Sequence, residues 1–257
     1  QKFEMDNLDL KWNLETKSSH SIFVGYENES ISSKIINHAK NGDDIIIILE
    51  NTPFYYESGG QIGDAGIISN DDFSARVNDT QKNGDYVLHI CSLTNGAIGD
   101  NLSVDCMIDV DRRNNIKMNH TATHLLHQSL KDVLGVHVNQ AGSLVHPEYL
   151  RFDITHPKKI SSKELEDIEL IVNQKIGEDI TVETSIKSLE EAKKEGATAL
   201  FGEKYEDEVR VVTMGEFSKE LCGGTHVSST GIINKFKIKH DKAISSGIRR
   251  ISAITHN

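Results

Sequence analysis

The stretch Asn119-His-Thr-Ala-Thr-His-Leu-Leu-His127 decides the fold, because it requires a partner that lies far away in the sequence. In a helix, residues four apart lie on one face a turn apart, so His120 and His124 can bind one ion together. A second pair, Cys222 and His226, flanks a Gly-Gly bend far downstream. Imidazoles and a thiolate are donors of tetrahedral zinc sites, so the fold must assemble the site from a helix and a remote turn.

Each pair by itself is a weak indication of a metal, since helical histidines are commonly solvated or hydrogen-bonded. Both pairs in one chain favour a metal site. His127 lies on a neighbouring face of the helix, and a role behind the ligands is the less favoured interpretation of it. Thr121, Ala122 and Thr123 stand where a zinc protease needs a Glu as general base, so protease chemistry is excluded. A structural zinc stays open, because four protein ligands close its shell. A functional site is favoured, since the chain already buries a core without the metal.

The bulk composition is that of an ordinary globular protein, with 37% hydrophobic and 26% charged residues among 257. This length allows one large or two modest domains. No apolar run approaches the ~20 residues that span a bilayer, so we expect no membrane partner. Three cysteines favour a reduced, cytoplasmic location. The net charge of −11 argues against a general nucleic-acid-coating protein but does not exclude a local basic surface.

Residues 20–110 have the pattern of β structure. Strict alternation over residues 102–110 indicates a half-buried strand, and β-branched runs predict strands at 20–26 and 44–50. Turns between strands are predicted by three Asn-Gly pairs, at residues 41–42, 83–84 and 95–96. Several short strands with frequent turns predict a small barrel or sandwich.

Helical periodicity begins near residue 111. Residues 112–134 predict a long helix that stops at Gly135, with His120 and His124 largely off its apolar face. Capping sequences at Ser161 and Ser188 start two more helices. Strand-like stretches fill the rest, at residues 151–155, 180–186, 209–214, 232–240 and 247–255.

The fold class that these patterns predict is α+β. We expect an N-terminal extension over residues 1–19, continuing from a preceding region. A small glycine-rich β-barrel is predicted over residues 20–110. An α+β domain that carries the metal ligands is predicted over residues 111–257.

The glycine-rich stretch Glu57-Ser-Gly-Gly-Gln-Ile-Gly-Asp-Ala-Gly66 allows two interpretations. It has neither the Gly-Lys-Ser/Thr of a P-loop nor the spacing of a dinucleotide fingerprint. Its glycines suit the positive φ angles of tight hairpins in a barrel. They also suit a loop that lets a substrate approach the backbone closely. From the residues alone, the hairpin interpretation is preferred.

Together these motifs resemble the editing region of alanyl-tRNA synthetases and the freestanding AlaX-type trans-editing proteins. The two pairs match that family's zinc elements, and Thr52-Pro-Phe-Tyr-Tyr-Glu-Ser-Gly-Gly-Gln-Ile-Gly-Asp64 matches its glycine-rich motif. Further matches lie at residues 137–143, 150–153 and 246–251. The related editing domain of threonyl-tRNA synthetases shares the zinc elements but is not expected to carry the barrel.

The resemblance implies hydrolysis of the ester that joins serine or glycine to the 3′ adenosine of alanine tRNA, with Zn²⁺ as cofactor. By this resemblance His120, His124, Cys222 and His226 are the zinc ligands. Catalysis is expected to depend on Gln140, which contacts the aminoacyl group or the attacking water, and on Cys222. Substrate-binding residues are expected at Thr123, Gly59, Gly60, Gln61, Arg249 and Arg250, with Thr225 as a further pocket candidate. The lysines at 235, 237 and 239 are interpreted as solvated edge-strand residues that guard against aggregation.

Several alternatives stay open. Zinc either lowers the pKa of a bound water towards ~7 or only holds the pocket, and we prefer the positioning role. The start at Gln1, without Met or signal pattern, favours a piece of a longer alanyl-tRNA synthetase (an alanine–tRNA ligase) without its ATP-dependent aminoacylation core. The rest of that synthetase would then be a partner. One rival is a catalytically inactive, zinc-stabilised tRNA-docking module, and another is a zinc hydrolase for a different small ester.

Overall fold

The computed structural model describes Asn13, residues 20–199 and residues 205–256. Apart from Asn13, the predicted N-terminal extension lies outside the described residues. The chain divides into two compact units, Gln1–Glu57 with Ile62–Arg113, and Ser58–Gln61 with Asn114–Asn257. The first contains a closed β-barrel and the second mixes helices with two sheets, so the predicted α+β class is confirmed. No helix in the described part of the chain has the length and apolar character needed to cross a membrane.

The first unit is built from eight strands: β1 (Ile22–Phe23), β2 (Ser30–Asn41), β3 (Asp44–Leu49), β4 (Asn51–Thr52), β5 (Gly66–Ser69), β6 (Phe73–Asn83), β7 (Tyr86–Gly96) and β8 (Ser103–Ile108). Six of them close an antiparallel barrel in the order β2-β3-β7-β6-β5-β8. The two shortest, β1 and β4, pair in parallel. The predicted strand at 20–26 is therefore reduced to two paired residues.

The barrel interior follows the predicted alternation. In β8 every second residue is buried, and the inward side chains are Val104, Cys106 and Ile108. The Asn-Gly pairs at 41–42 and 83–84 form the predicted tight turns, with φ of +63° and +56° at their glycines. The pair at 95–96 does not turn the chain, because both residues are still paired with β6. The β6–β7 ladder ends at this pair, where Gly96 closes β7 with φ of +65°.

In the described residues of the second unit there are three α-helices, α1 (Val110–Leu134), α2 (Ser162–Gly177) and α3 (Leu189–Lys194), and a short 3₁₀ helix at Thr230–Ile233. Helix α1 begins before the unit boundary. The strands of the second unit are β9 (Gln140–Val145), β10 (Leu150–Thr155), β11 (Val182–Ser188), β12 (Glu208–Met214), β13 (Ser218–Leu221), β14 (Lys235–Ser245) and β15 (Ile248–His256). They form a four-stranded sheet, β14-β15-β10-β9, and a three-stranded sheet, β11-β12-β13. The main core joins α1 and α2 to the larger sheet through residues such as Leu126, Phe152 and Ile168.

The helix termini confirm the predicted signals. Ser161 and Glu164 form a reciprocal capping box at the start of α2, and Ser188 caps α3 by accepting from Glu191 N–H. Helix α1 ends at Leu134, and Gly135 follows with φ of +113°.

His120 and His124 are absent from the apolar cluster that the other face of α1 joins, as predicted, but they do not face solvent. His120 and His124 are 5% and 6% exposed, because α1 is buried almost all round from residue 118 onwards. The polar side of the helix faces other buried polar groups instead of solvent.

Candidate metal centre

Two segments of the second unit bring four ligand atoms together. His120 and His124 lie one turn apart on α1 with their rings stacked, 5.3 Å between centroids. Cys222 directly follows β13, and His226 lies four residues later. One ligand atom from each of the four residues lies within 4.8 Å of the others. The Cys222 sulfur is 3.4 Å from His120 Nε2 and 3.3 Å from His226 Nε2.

The Nδ1 atoms of the three histidines are all held by the protein. Nδ1 of His120 lies 2.8 Å from Gln61 Oε1, and Nδ1 of His124 lies 2.9 Å from a Glu220 oxygen. Nδ1 of His226 lies 3.1 Å from the Thr121 hydroxyl, which already accepts from a backbone N–H. The amide oxygen of Gln61 and the carboxylate of Glu220 can only accept, so the Nδ1 atoms of His120 and His124 carry protons and their Nε2 atoms are the nitrogens that can bind a metal. The Thr121 hydroxyl holds the third ring, that of His226, as a donor or an acceptor. Partners of this kind orient the histidine ligands of protein metal sites.

An orphaned nitrogen indicates what the cluster is suited to hold. Nε2 of His124 is buried and has no hydrogen-bond partner among the described residues. A buried polar atom without a partner is costly, and a metal ion bound at Nε2 would remove that cost. Three imidazole Nε2 atoms and one sulfur form a donor set that suits zinc. The four residues can therefore hold a metal ion.

The electrostatics of the cluster favour a thiolate. Burial opposes ionisation of Cys222, but the surrounding imidazoles, His120 first, hold the pKa of its thiol well below the usual value. Burial also opposes the charged form of His124, but Glu220 and Cys222 outweigh it and raise its pKa to about 10. Burial, together with His120, lowers the pKa of His226 to about 3. The sulfur is thus ready to bind a cation without first losing a proton.

The ligand-bearing turn after β13 is fixed by Arg210. Its guanidinium donates to the carbonyls of Cys222 and Gly224 at 2.9 and 2.8 Å. Gly224 is required by close packing, because a Cβ there would lie 2.0 Å from His120 Cε1. The Gly-Gly bend therefore lets the turn pass directly over the imidazole of a ligand.

Part of the glycine-rich stretch belongs to this second unit. Residues Ser58–Gln61 form a tight turn in which the Ser58 and Gln61 backbones exchange hydrogen bonds. Gly60 has φ of +83°, and its carbonyl accepts from Val145 N–H at 2.7 Å. A Cβ on Gly60 would lie 2.8 Å from the Ser143 carbonyl, whereas a Cβ on Gly59 would meet no atom within 4 Å.

The predicted pocket residues Thr123, Thr225 and Gln140 differ in how close they lie to the ligands. The Thr123 hydroxyl donates back to the Asn119 carbonyl of the same helix and is buried. Thr225 is buried and bonded to Gln61, from both its N–H and its hydroxyl. Gln140 is half-buried at the start of β9, paired through its backbone with Ile154. The hydrogen bonds of the four ligands, as far as the structure describes them, do not include Gln140.

Both predicted RNA-contacting arginines are bound by carboxylates. Arg249 donates two hydrogen bonds to Asp241, and Arg250 donates two to Asp153 at 2.7 and 2.8 Å. Arg249 is also buried. An RNA contact by either residue stays a prediction.

Two groups next to the ligands were missed by sequence reasoning. Glu220 is buried and accepts from Nδ1 of both His124 and His127. The sequence feature that could have revealed Glu220 is its position two residues before the proposed ligand Cys222. Alternation along β13 also puts Glu220 on the same, buried side of the strand as Ser218. Thr121 was considered only as a missing Glu, although it lies on α1 between the ligands and binds the third histidine.

Known proteins match most of the chain. A family model described as class II (A) tRNA synthetases matches residues 3–112. A second, described as the threonyl and alanyl tRNA synthetase second additional domain, matches residues 209–252. An alanine–tRNA ligase of Haemophilus influenzae is 50% identical over 230 residues, which cover 90% of this chain and 26% of that relative. An alanine–tRNA ligase of Legionella pneumophila is 47% identical over 244 residues, which cover 91% of this chain and 28% of that relative.

The chain thus spans about a quarter of the length of the curated relatives it matches. The family models cover the barrel sequence and the segment that carries Cys222 and His226, which are two of the places where the resemblance was first noted. These matches confirm the resemblance of this chain to the editing region of alanyl-tRNA synthetases.

Proposed function

We propose that this chain is a zinc-dependent aminoacyl-tRNA deacylase that removes serine and glycine from alanine tRNA. The observation that carries the proposal is the convergence of three oriented imidazoles and a thiolate on one point, in a chain similar to alanine–tRNA ligases. The partner is alanine tRNA mischarged with serine or glycine, the compartment is the cytoplasm, and aminoacylation itself belongs to other parts of a longer synthetase.

The need for such an activity follows from the limits of small pockets. A pocket sized for alanine cannot exclude glycine and rejects serine only weakly. A second site that hydrolyses the wrong esters corrects both errors. Water attacks the ester carbonyl carbon, the bond to the ribose oxygen breaks, and that oxygen takes a proton from the attacking water.

The residues that would hold the metal are His120, His124 and His226 through Nε2, and Cys222 through its sulfur. A zinc ion held there supplies Lewis acidity to the ester or the attacking water. The protein's own contribution is preorganisation, because Gln61, Glu220 and Thr121 fix the three rings before substrate arrives. Gln140, half-buried at the start of β9, is the residue we propose for contact with the aminoacyl group or the water.

A deacylation assay tests the proposal. The purified chain is incubated with Ser-, Gly- and Ala-charged alanine tRNA, with and without a chelator. We expect release from the first two only, abolished by the chelator and by Cys222→Ala. Loss of zinc without loss of Ser-tRNA hydrolysis in Cys222→Ala contradicts the zinc-dependent mechanism. Tight tRNA binding without any release supports the docking module instead.

A further inference from the structure

Gln61 uses every part of its side-chain amide within the second unit. Its side chain is 0% exposed. Oε1 lies 2.8 Å from Nδ1 of His120 and 2.9 Å from the backbone N–H of Thr225. Nε2 donates to the Thr225 hydroxyl at 3.0 Å. One amide thus connects the ligand His120 on α1 with the turn that carries the ligands Cys222 and His226.

The backbone around Gln61 is equally constrained. The Gly60 carbonyl and the Gln61 backbone are paired with Val145 at the end of β9. The close approach of Gly60 to Ser143 leaves no room for a side chain at that position. The segment Ser58–Gln61 is therefore fixed on β9, and the side chain of Gln61 reaches the ligand cluster.

We propose that Gln61 is a positioning residue for the metal centre: it fixes His120 with its proton on Nδ1 and joins that ring to the turn between Cys222 and His226. The inference rests on the proposed metal centre. It assigns to the glycine-rich segment the task of building the ligand set, in place of the substrate contact expected for Gln61 from the sequence.

The chemistry of the three contacts explains why the residue is Gln. The amide oxygen accepts from His120 Nδ1–H and from Thr225 N–H, while the amide nitrogen donates to the Thr225 hydroxyl. Glu keeps the acceptor but loses the donor. It also adds a second buried carboxylate to a cluster that already contains Glu220 and a thiolate, whose two negative charges balance one divalent cation. Met has a similar length and makes none of the three bonds.

Metal binding without tRNA tests the inference directly. Co²⁺, which occupies tetrahedral zinc sites and absorbs visible light there, is titrated into the metal-free chain and then competed with a chelator. Gln61→Met should lower metal affinity about 10- to 100-fold, the usual effect of losing a group that orients a ligand. Gln61→Glu, which retains the acceptor for His120 but loses the donor and adds a charge, should recover part of that affinity. Gln174→Met, on the exposed side of α2, is the matched control and should leave affinity unchanged.

The ring nitrogens of His120 give a readout that general destabilisation does not move. In ¹⁵N spectra of the Zn²⁺-loaded chain, Nδ1 of His120 should be the protonated nitrogen, and Gln61→Met should shift its signal while those of His124 stay in place. If Gln61→Met fails to fold, Gln61→Glu against Gln61→Asn makes the same comparison, because Asn is one methylene too short to reach His120.

If Gln61 instead contacted the substrate, Gln61→Met would impair deacylation and leave metal binding unchanged. If Gln61→Met keeps the wild-type Co²⁺ spectrum and affinity but loses deacylation, Gln61 touches substrate and the inference is overturned. Because the Co²⁺ titration and the ¹⁵N measurement use no charged tRNA, the inference survives a failure of the deacylase proposal. The absence of Co²⁺ binding in the wild-type chain would overturn both.

Discussion

The Glu220 carboxylate lies 2.9 Å from Nδ1 of His124, on the side of the ring opposite the orphaned Nε2. Its second oxygen lies 3.0 Å from Nδ1 of His127. Both imidazoles and the carboxylate are buried. Such a carboxylate orients the ring and makes Nε2 a better donor to a metal. Although burial opposes it, the charge of His124 lowers the pKa of Glu220, so the group is ionised at neutral pH.

Replacing Glu220 by Gln should therefore weaken metal binding about 10- to 100-fold. The amide has one acceptor oxygen where the carboxylate has two, so one of the two histidines loses its partner. Chelator competition measures the effect. Glu178→Gln removes an exposed carboxylate paired with Lys175 and should change nothing. Equal metal affinity in wild type and Glu220→Gln would contradict the role assigned to Glu220.

The two glycines after Cys222 provide a matched pair of substitutions. A Cβ on Gly224 would lie 2.0 Å from His120 Cε1 and 2.4 Å from its Nδ1, whereas one on Gly223 would meet no atom within 4 Å. Gly224→Ala should displace the imidazole and abolish the Co²⁺ absorption of the wild-type chain. Gly223→Ala should bind Co²⁺ normally. If the two variants behaved alike, the close packing of the turn on His120 would not matter for the site.

The four ligands were predictable because each pair is recognised from residues that lie close together in the sequence. Two histidines four residues apart in a segment with helical periodicity must share a helix face. Cys222 and His226 flank a bend that is predicted by the Gly-Gly pair between them. The groups that orient the histidines were not predictable, because Gln61 and Glu220 are far in sequence from His120 and His124, which they contact. A glutamine in a glycine-rich stretch looks the same in sequence whether it meets a substrate or a ligand.

The fold shows the same division between local and distant signals. Capping at Ser161 and the alternation in β8 depend on neighbouring residues, and both were predicted correctly. The Asn-Gly pair at 95–96 failed as a turn signal because the partner strand β6 continues alongside it. Helix α1 is buried on nearly all sides because polar groups from other segments cover its polar face. The amphipathic pattern of the helix itself contains no information about those segments.

His89 should make the barrel sensitive to acid. Its Nδ1–H donates to the Ile47 carbonyl at 2.9 Å, and its Nε2 accepts from the Thr52 hydroxyl at 2.7 Å, inside a fully buried site. Burial lowers the pKa of His89 from 6.5 to about 4. The unfolded chain therefore binds the proton more tightly, and stability falls as the pH drops from 6.5 to about 4, by roughly 3 kcal/mol in total.

Denaturant unfolding at about pH 7.5 and about pH 5 measures this effect. In His89→Gln the amide can make the same donor and acceptor contacts without titrating. About 2 kcal/mol of the wild-type loss of stability between these two pH values should therefore disappear. An identical pH dependence in both proteins would exclude His89 as the titrating group.

Arg113 and Asp64 form a fully buried ion pair in the first unit. The guanidinium donates from Nε to both carboxylate oxygens, and from its terminal nitrogens to Asp64 and to the carbonyls of Gly25 and Pro53. Arg113→Met leaves a buried charge unpaired and should reduce the free energy of unfolding by about 3–5 kcal/mol. The double variant with Asp64→Leu should lose less than Arg113→Met alone. A double variant as unstable as the sum of both single variants would show that the pair is not coupled.

The basic edge of the larger sheet, rather than the paired arginines, should contact tRNA phosphates. β14 is an edge strand with two bulges, and Lys239 and Lys242 are exposed along it. Neither lysine makes an ion pair among the described residues, whereas Lys237 is paired with Glu169. In a chain with a net charge of −11, such unpaired cations are where a polyanion can approach.

Neutralising both lysines, as Lys239→Gln with Lys242→Gln, should weaken tRNA binding and flatten its salt dependence. Each lost phosphate contact removes about 0.7–0.9 from the slope of log K against log salt, so the slope should fall by about 1.4–1.8. Lys193→Gln with Lys194→Gln, exposed on α3, removes the same charge elsewhere and controls for net charge. If both double variants reduce the slope equally, tRNA responds to total charge and β14 is not its contact surface.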